Sequence, residues 1–247
     1  MEFNKLTDKQ FRRLSIMFAL FAISYFICGV AKATTLKVAV IDTGFDTHSV
    51  WTGEGFKKMG LTAPKLCPDA PYNMVEDNKD VKDNHGHGTH IAGLIAKGNE
   101  NTDYCLYIMK YYDPKKPNSD NLKNSIKAYK KAIELGVDII NYSGGGTERS
   151  NEECQLMKQA LDKGIKIFAA AGNERTNLDS TFANKYYPAM CDTRIVVVEN
   201  VDKNGQPVPS SNYASWATKE QGSNILSLLP DNQAGYMTGT SQATGLS

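Results

Sequence analysis

The sequence predicts an α/β layer fold in which a doubly wound, mostly parallel sheet is flanked by helices. Three observations predict it: short runs nearly continuous in apolar residues, longer runs with apolar residues at helical spacing that end in glycine, and the alternation of the two. The stretch "LKVAVID", 36–42, opens the series. It sets Val38 to Ile41 directly before Asp42, the pattern of a strand covered on both faces. "CLYIMKYY", "VDIINYS", "IKIFAAAG", "RIVVVEN" and "NILSLL" follow as further strands. Residues 83–98, "DNHGHGTHIAGLIAKG", read as a small-residue helix and its approach, holding three of the four histidines. Residues 121–136 put Leu122, Ile126, Tyr129 and Ile133 on one helical face, and Gly136 stands where a left-handed terminating residue is expected. Residues 151–164 repeat that plan and end in Gly164. Such strands are parallel and joined by right-handed crossovers. Ligands of such sheets collect at the carboxyl ends of the strands, where Asp42 lies.

Composition bounds the function classes. With 247 residues, 41% of them hydrophobic and 22% charged, the chain has the profile of one globular domain and not of a disordered one. Its 28 basic and 27 acidic residues leave a net charge of +1, so nothing electrostatic argues for nucleic acid or an anionic membrane as partner. Residues 1–33 read separately. Lys5, Lys9, Arg12 and Arg13 precede "LSIMFALFAISYFICGV", and Ala31-Lys32-Ala33 supplies the small residues of a cleavage site. The expectation is an export signal over 1–33, a mature chain from Thr34, a domain over 34–247, and a secreted or periplasmic location. An uncleaved membrane anchor is the alternative, and only then would a membrane be a partner. Cys67, Cys105, Cys154 and Cys191 then imply two disulfides, for which three pairings are possible.

Asp42 in "VIDTG" admits several chemistries: half of an aspartic dyad, a metal or phosphate site, or an acid that orients a histidine. A dyad needs two carboxylates sharing a proton, and the chain holds a single Asp-Thr-Gly. His85, His87 and His90 could in principle ligate zinc, but no acid follows at metallohydrolase spacing and no other cluster supplies further ligands, so no metal site is expected. Three further stretches bear on the choice: "INYSGGG" at 140–146, "AAAGNE" at 169–174 and "MTGTSQAT" at 237–244. Read alone, Asn173 in the second would cap a following helix. Together with "VIDTG" and "HGTHIAG", these stretches resemble the subtilisin-like serine peptidases, in that family's order of Asp, His, Asn and Ser, over residues 36–244.

The resemblance implies an exported serine endopeptidase acting on peptides or proteins. Ser241 would be the nucleophile, His87 its general base and Asp42 the acid that holds the imidazole. Asn173 would serve the oxyanion. Ser143, Gly144 and Gly145 would form the edge on which a peptide pairs as an added strand. Tyr186 would lie at the base of the primary specificity pocket and favour small residues. The resembled fold also implies bridges from Cys67 to Cys105 and from Cys154 to Cys191. The chemistry requires no cofactor, and no calcium ligands can be placed. An inactive peptide-binding module of the same fold is the first alternative and a metallohydrolase the second. Family members usually run from the nucleophile through a Thr/Ser-Pro pair into a long helix, whereas here Gly245 holds the proline position and the sequence ends at Ser247. The expectation is a domain truncated after the nucleophile, a weak peptidase until that helix is supplied.

Overall fold

The computed structural model describes residues 34–179 and 185–247; the expected export segment lies outside them. In chain order, the described residues form β1 (Leu36–Asp42), α1 (Glu54–Lys58), β2 (Tyr72–Asn73), α2 (His87–Gly98), β3 (Tyr104–Lys110), α3 (Asn121–Leu135) and β4 (Ile139–Tyr142). There follow α4 (Asn151–Asp162), β5 (Lys166–Ala170), β6 (Val196–Asn200), β7 (Thr218–Glu220), β8 (Ile225–Leu229), β9 (Gln233–Met237) and α5 (Thr240–Leu246). Seven strands make one parallel sheet in the order β2-β3-β1-β4-β5-β6-β7.

β1 shows why its apolar run is unbroken. Val38 and Val40 pack on one face with Ile91 and Leu94 of α2, while Ala39 and Ile41 pack on the other with Tyr129 of α3 and Met157 of α4. β3 divides the same way, Leu106 and Ile108 against Tyr107 and Met109. Each such burial is worth roughly 1.5–3 kcal/mol relative to exposure, on both faces alike, so no alternation with polar residues survives.

Helix ends follow local chemistry. The Asp120 carboxylate accepts from Lys123 N at 2.9 Å and starts α3, and Gly136 ends it at φ 58°. The expected apolar face of α3 holds at Ile126 and Tyr129, which are buried, and at Ile133, which packs against the core. Leu122 departs from it: this residue, in the first turn of α3, is 48% exposed.

"NILSLL" is a strand, but it lies outside the parallel sheet. β8 pairs antiparallel with β9 in a two-stranded sheet, because the turn between them reverses the chain locally. Asp231 and Asn232 in that turn take φ values of 58° and 55°, a region these two residue types tolerate. Two disulfides, Cys67–Cys105 and Cys154–Cys191, join Cα atoms 4.9 and 5.0 Å apart. They are the pairs the resemblance implied. The second fastens the first turn of α4 to the loop that carries Tyr186.

Candidate active site

The carboxyl ends of β1, β3, β4 and β5 lie level, with Asp42 opposite Lys110 and Ile41 opposite Tyr142. Asp42 therefore emerges at the rim of the sheet yet is only 2% exposed. Its Oδ1 stands 2.7 Å from His87 Nδ1 and also accepts from Thr43 N at 2.7 Å. Oδ2 is buried without a hydrogen-bond partner among the described residues.

His87 opens α2, and that helix approaches the β1 turn closely enough that Gly88 is required. A Cβ there would collide with the Gly44 backbone and lie 3.2 Å from Asp42 Oδ1. Asp83 secures the approach. One of its oxygens accepts from Thr43 Oγ1, His85 N and Gly86 N at 2.8–3.0 Å, and the other from Thr89 N and Thr89 Oγ1 at 2.8 and 2.7 Å. It thus satisfies the first turn of α2, whose capping position, Gly86, has no side chain to do so. Lys110 adds a second clamp: its Nζ donates to Lys82 O at 2.6 Å and to Asp113 Oδ2 at 2.7 Å. Sequence reasoning missed both residues. Asp83 could have been found as the acid just before the Gly-rich helix start, but no local signal marks Lys110.

Burial by itself would lower the His87 pKa. The charge of Asp42 and its hydrogen bond, with a further contribution from the charge of Asp83, outweigh that and hold it above the ordinary value of 6.5. The other histidines go elsewhere. His90 is fully buried, and its Nε2 donates to Ile225 O and Gly235 O at 3.1 and 3.2 Å. His85 is exposed, edge-on to the His87 ring at 6.1 Å.

Ser241 lies in the first turn of α5, which packs on α2 through Gly245, whose Cβ position is 3.4 Å from Leu94 Cβ. The Ser241 hydroxyl donates to Ser143 O at 3.0 Å, and Ser143 Oγ returns a bond to Ser241 O at 3.3 Å. No hydrogen bond joins Ser241 to His87 among the described residues. Asn173 does act as a cap, but for a helix distant in sequence: its Oδ1 accepts from Thr240 N at 3.0 Å, which leaves its amide Nδ2 without a recorded partner among the described residues.

The backbone of Gly144 and Gly145 makes no recorded hydrogen bond among the described residues, so an unpaired edge runs from Ser143. It ends at Gly146, which exchanges two bonds with Tyr187 at 2.8 and 2.7 Å. Tyr186 lies between the two glycine segments. A Cβ on Gly145 would be 2.5 Å from its Cε1, and one on Gly172 2.7 Å from its Cε2. The phenol is buried, and burial together with the charge of Glu174 pushes its pKa up to about 12.

Comparison with known proteins identifies the family and the fold. A family model described as the Subtilase family matches residues 33–246. The "Major intracellular serine protease" of Bacillus subtilis (strain 168) is 32% identical over 224 residues, 86% of this chain and 66% of that one. The "Thermophilic serine proteinase" of Bacillus sp. (strain AK1) is 28% identical over 84% of this chain and 49% of its own length. The chain thus spans between about half and two thirds of these two relatives. "Subtilisin" of Bacillus pumilus is 29% identical over 85% of this chain and 73% of its own. Among solved structures, a cold adapted subtilisin-like serine proteinase superposes with a TM-score of 0.69 at 22% identity, covering 87% of this chain and 72% of that one, and so shares the fold.

Proposed function

The chain belongs to the subtilase family, and on that premise we propose that it is a serine endopeptidase working through an acyl-enzyme. The observation that carries this reading is the 2.7 Å contact of His87 Nδ1 with a buried Asp42, on the same sheet rim as Ser241 and Asn173. A neutral His87 takes the Ser241 proton as Oγ attacks the peptide carbonyl carbon, and Asp42 holds the tautomer and stabilises the imidazolium. The tetrahedral oxyanion takes hydrogen bonds from Asn173 Nδ2 and the Ser241 N–H. Collapse breaks the C–N bond, the imidazolium protonates the leaving amine, and a water molecule repeats the sequence to free the enzyme. The substrate is a peptide or protein that pairs with the Ser143–Gly145 edge. Covalent labelling tests the reading. A fluorophosphonate probe should modify Ser241 with loss of fluoride, and failure to label that residue counts against an active peptidase.

The raised His87 pKa carries a pH dependence. The base works only when neutral, so kcat/KM should rise with pH, and the midpoint of its acid limb should lie above the ordinary imidazole value of 6.5. A midpoint at or below that value contradicts the assignment.

Tyr186 shortens the primary pocket by standing between Gly145 and Gly172. Peptides with Ala before the scissile bond should be cut more readily than those with Phe, by roughly tenfold. A substrate panel that prefers Phe removes Tyr186 from this role.

Export rests on the residues 1–33 pattern and on the two disulfides, which persist in oxidising compartments. N-terminal sequencing of secreted material should begin at or near Thr34. A membrane-bound chain retaining Met1 would show an anchor instead.

A further inference from the structure

Gly145 and Tyr186 belong to segments far apart in sequence, yet they meet closely. A Cβ on Gly145 would lie 2.5 Å from Tyr186 Cε1 and equally close to Tyr187 O. The residues next to them, Gly146 and Tyr187, exchange backbone hydrogen bonds at 2.8 and 2.7 Å. Among the described residues, these are the only recorded backbone hydrogen bonds joining residues 143–149 to residues 185–191.

A covalent link lies a short way further along both segments. The chain runs from Gly146 through residues 147–153 to Cys154, crosses the disulfide to Cys191, and returns through residues 190–188 to Tyr187, so that disulfide and backbone bridge close one ring. One side of the ring is firm. Ser150 caps the turn of α4 that bears Cys154, and the same helix buries Leu156, Met157 and Ala160 in the core. The returning side has little anchorage of its own: Tyr186 is its one large buried side chain, while Pro188 and Ala189, also buried, are small. It is nevertheless stiff. Met190 N donates to Tyr186 O at 3.0 Å and Cys191 N to Pro188 O at 2.9 Å, so the position of Cys191 constrains that of Tyr186.

Bringing two points of a chain together costs entropy that grows with the length between them. The two cysteines are 37 positions apart. With the disulfide formed, the Gly146–Tyr187 bridge closes only the short ring. Without it, the same pair of hydrogen bonds must hold the ends of the whole intervening chain, and Tyr186 is free to draw away from Gly145.

We infer that Cys154 and Cys191 are a positioning pair for substrate selection: their disulfide holds Tyr186 against Gly145 and so keeps the primary pocket closed to large side chains. The inference rests on the peptidase reading and on the place of Tyr186 in that pocket. The other disulfide supplies an internal control. Cys67–Cys105 lies at the amino end of β3, where Cys105 stands opposite Lys37, whereas the catalytic rim is at the Asp42 and Lys110 end. Its two segments are also tied by Cys67 N to Leu106 O at 3.0 Å and Leu106 N to Lys65 O at 2.8 Å.

The test uses the full chain and peptides that differ only by Ala or Phe before the scissile bond. Selectivity is read as the ratio of kcat/KM values on chains with the active site intact, and as the ratio of affinities, by fluorescence anisotropy, on the same chains carrying Ser241→Ala. Cys154→Ala/Cys191→Ala should bring the roughly tenfold preference for Ala down to about threefold or less, by a gain on Phe peptides, with Ala peptides changed less than about twofold. Cys67→Ala/Cys105→Ala should keep the preference. Both variants should unfold at lower temperature, since each loses a cross-link, so stability moves with both and selectivity with one. An unchanged preference without Cys154–Cys191, an equal loss in both variants, or no preference in the unmutated chain overturns this role. Failure of the Cys154→Ala/Cys191→Ala chain to fold also overturns it, by making the disulfide an element of stability. A binding preference that depends on Cys154–Cys191 alone, with no hydrolysis by the unmutated chain, upholds the role and overturns the peptidase reading.

Discussion

Ser241→Ala is expected to lower kcat by 10⁴- to 10⁶-fold, on the order of the loss seen when one member of such a relay is removed. The hydroxyl is the only group at the rim that the proposed mechanism uses to form the covalent intermediate. Its removal leaves the groove otherwise whole. Gly144 and Gly145 keep their unpaired edge, and Tyr186 keeps its place between the glycine segments. The local cost is the bond from Ser241 Oγ to Ser143 O, worth about 1 kcal/mol, which does not unfold a domain of this size. Turnover should therefore collapse while peptide affinity changes by less than about threefold, a split that steady-state kinetics and equilibrium binding measure together. Equal turnover by the two forms would remove Ser241 from the chemistry.

Asp42→Asn should lower kcat about 10⁴-fold and move the acid limb of the pH profile down. The amide is nearly isosteric, so β1 and the Thr43 turn should persist, but its NH₂ faces His87 Nδ1 or displaces it and favours the wrong tautomer. The charge of Asp42 is also the largest influence holding the His87 pKa up, and without it burial, which lowers the pKa, dominates. The pH–rate profile of the residual activity reads the second effect independently of the first. A variant with wild-type kcat, or with an unmoved acid limb, would show that Asp42 does not act through His87.

The chain's periodicity and short-range chemistry determined much of this protein. Strands covered on both faces are legible as unbroken apolar runs because each face removes the polar half of the pattern. The ends of α3 are legible because Asp120 and Gly136 act within one turn of themselves. Asp42, His87, Asn173 and Ser241 are legible as motifs because a strand end, a helix start or a turn positions each of them within a few residues. What the tertiary structure alone decided depends on partners distant in sequence. The β8–β9 hairpin left the parallel sheet because of a turn conformation, although the apolar run of β8 reads like the others. Asn173 caps α5 and not the segment that follows it, across 67 positions of chain. The buried Lys110 is intelligible only beside Asp113 and the Lys82 carbonyl, which the register of β3 against β1 brings under the His87 loop. Leu122 and Glu153 belong by spacing to the core face and the capping turn of their helices. Only the packing of α3 against α4 turns both toward a cleft, because helical periodicity specifies a direction around a helix axis and not what stands opposite.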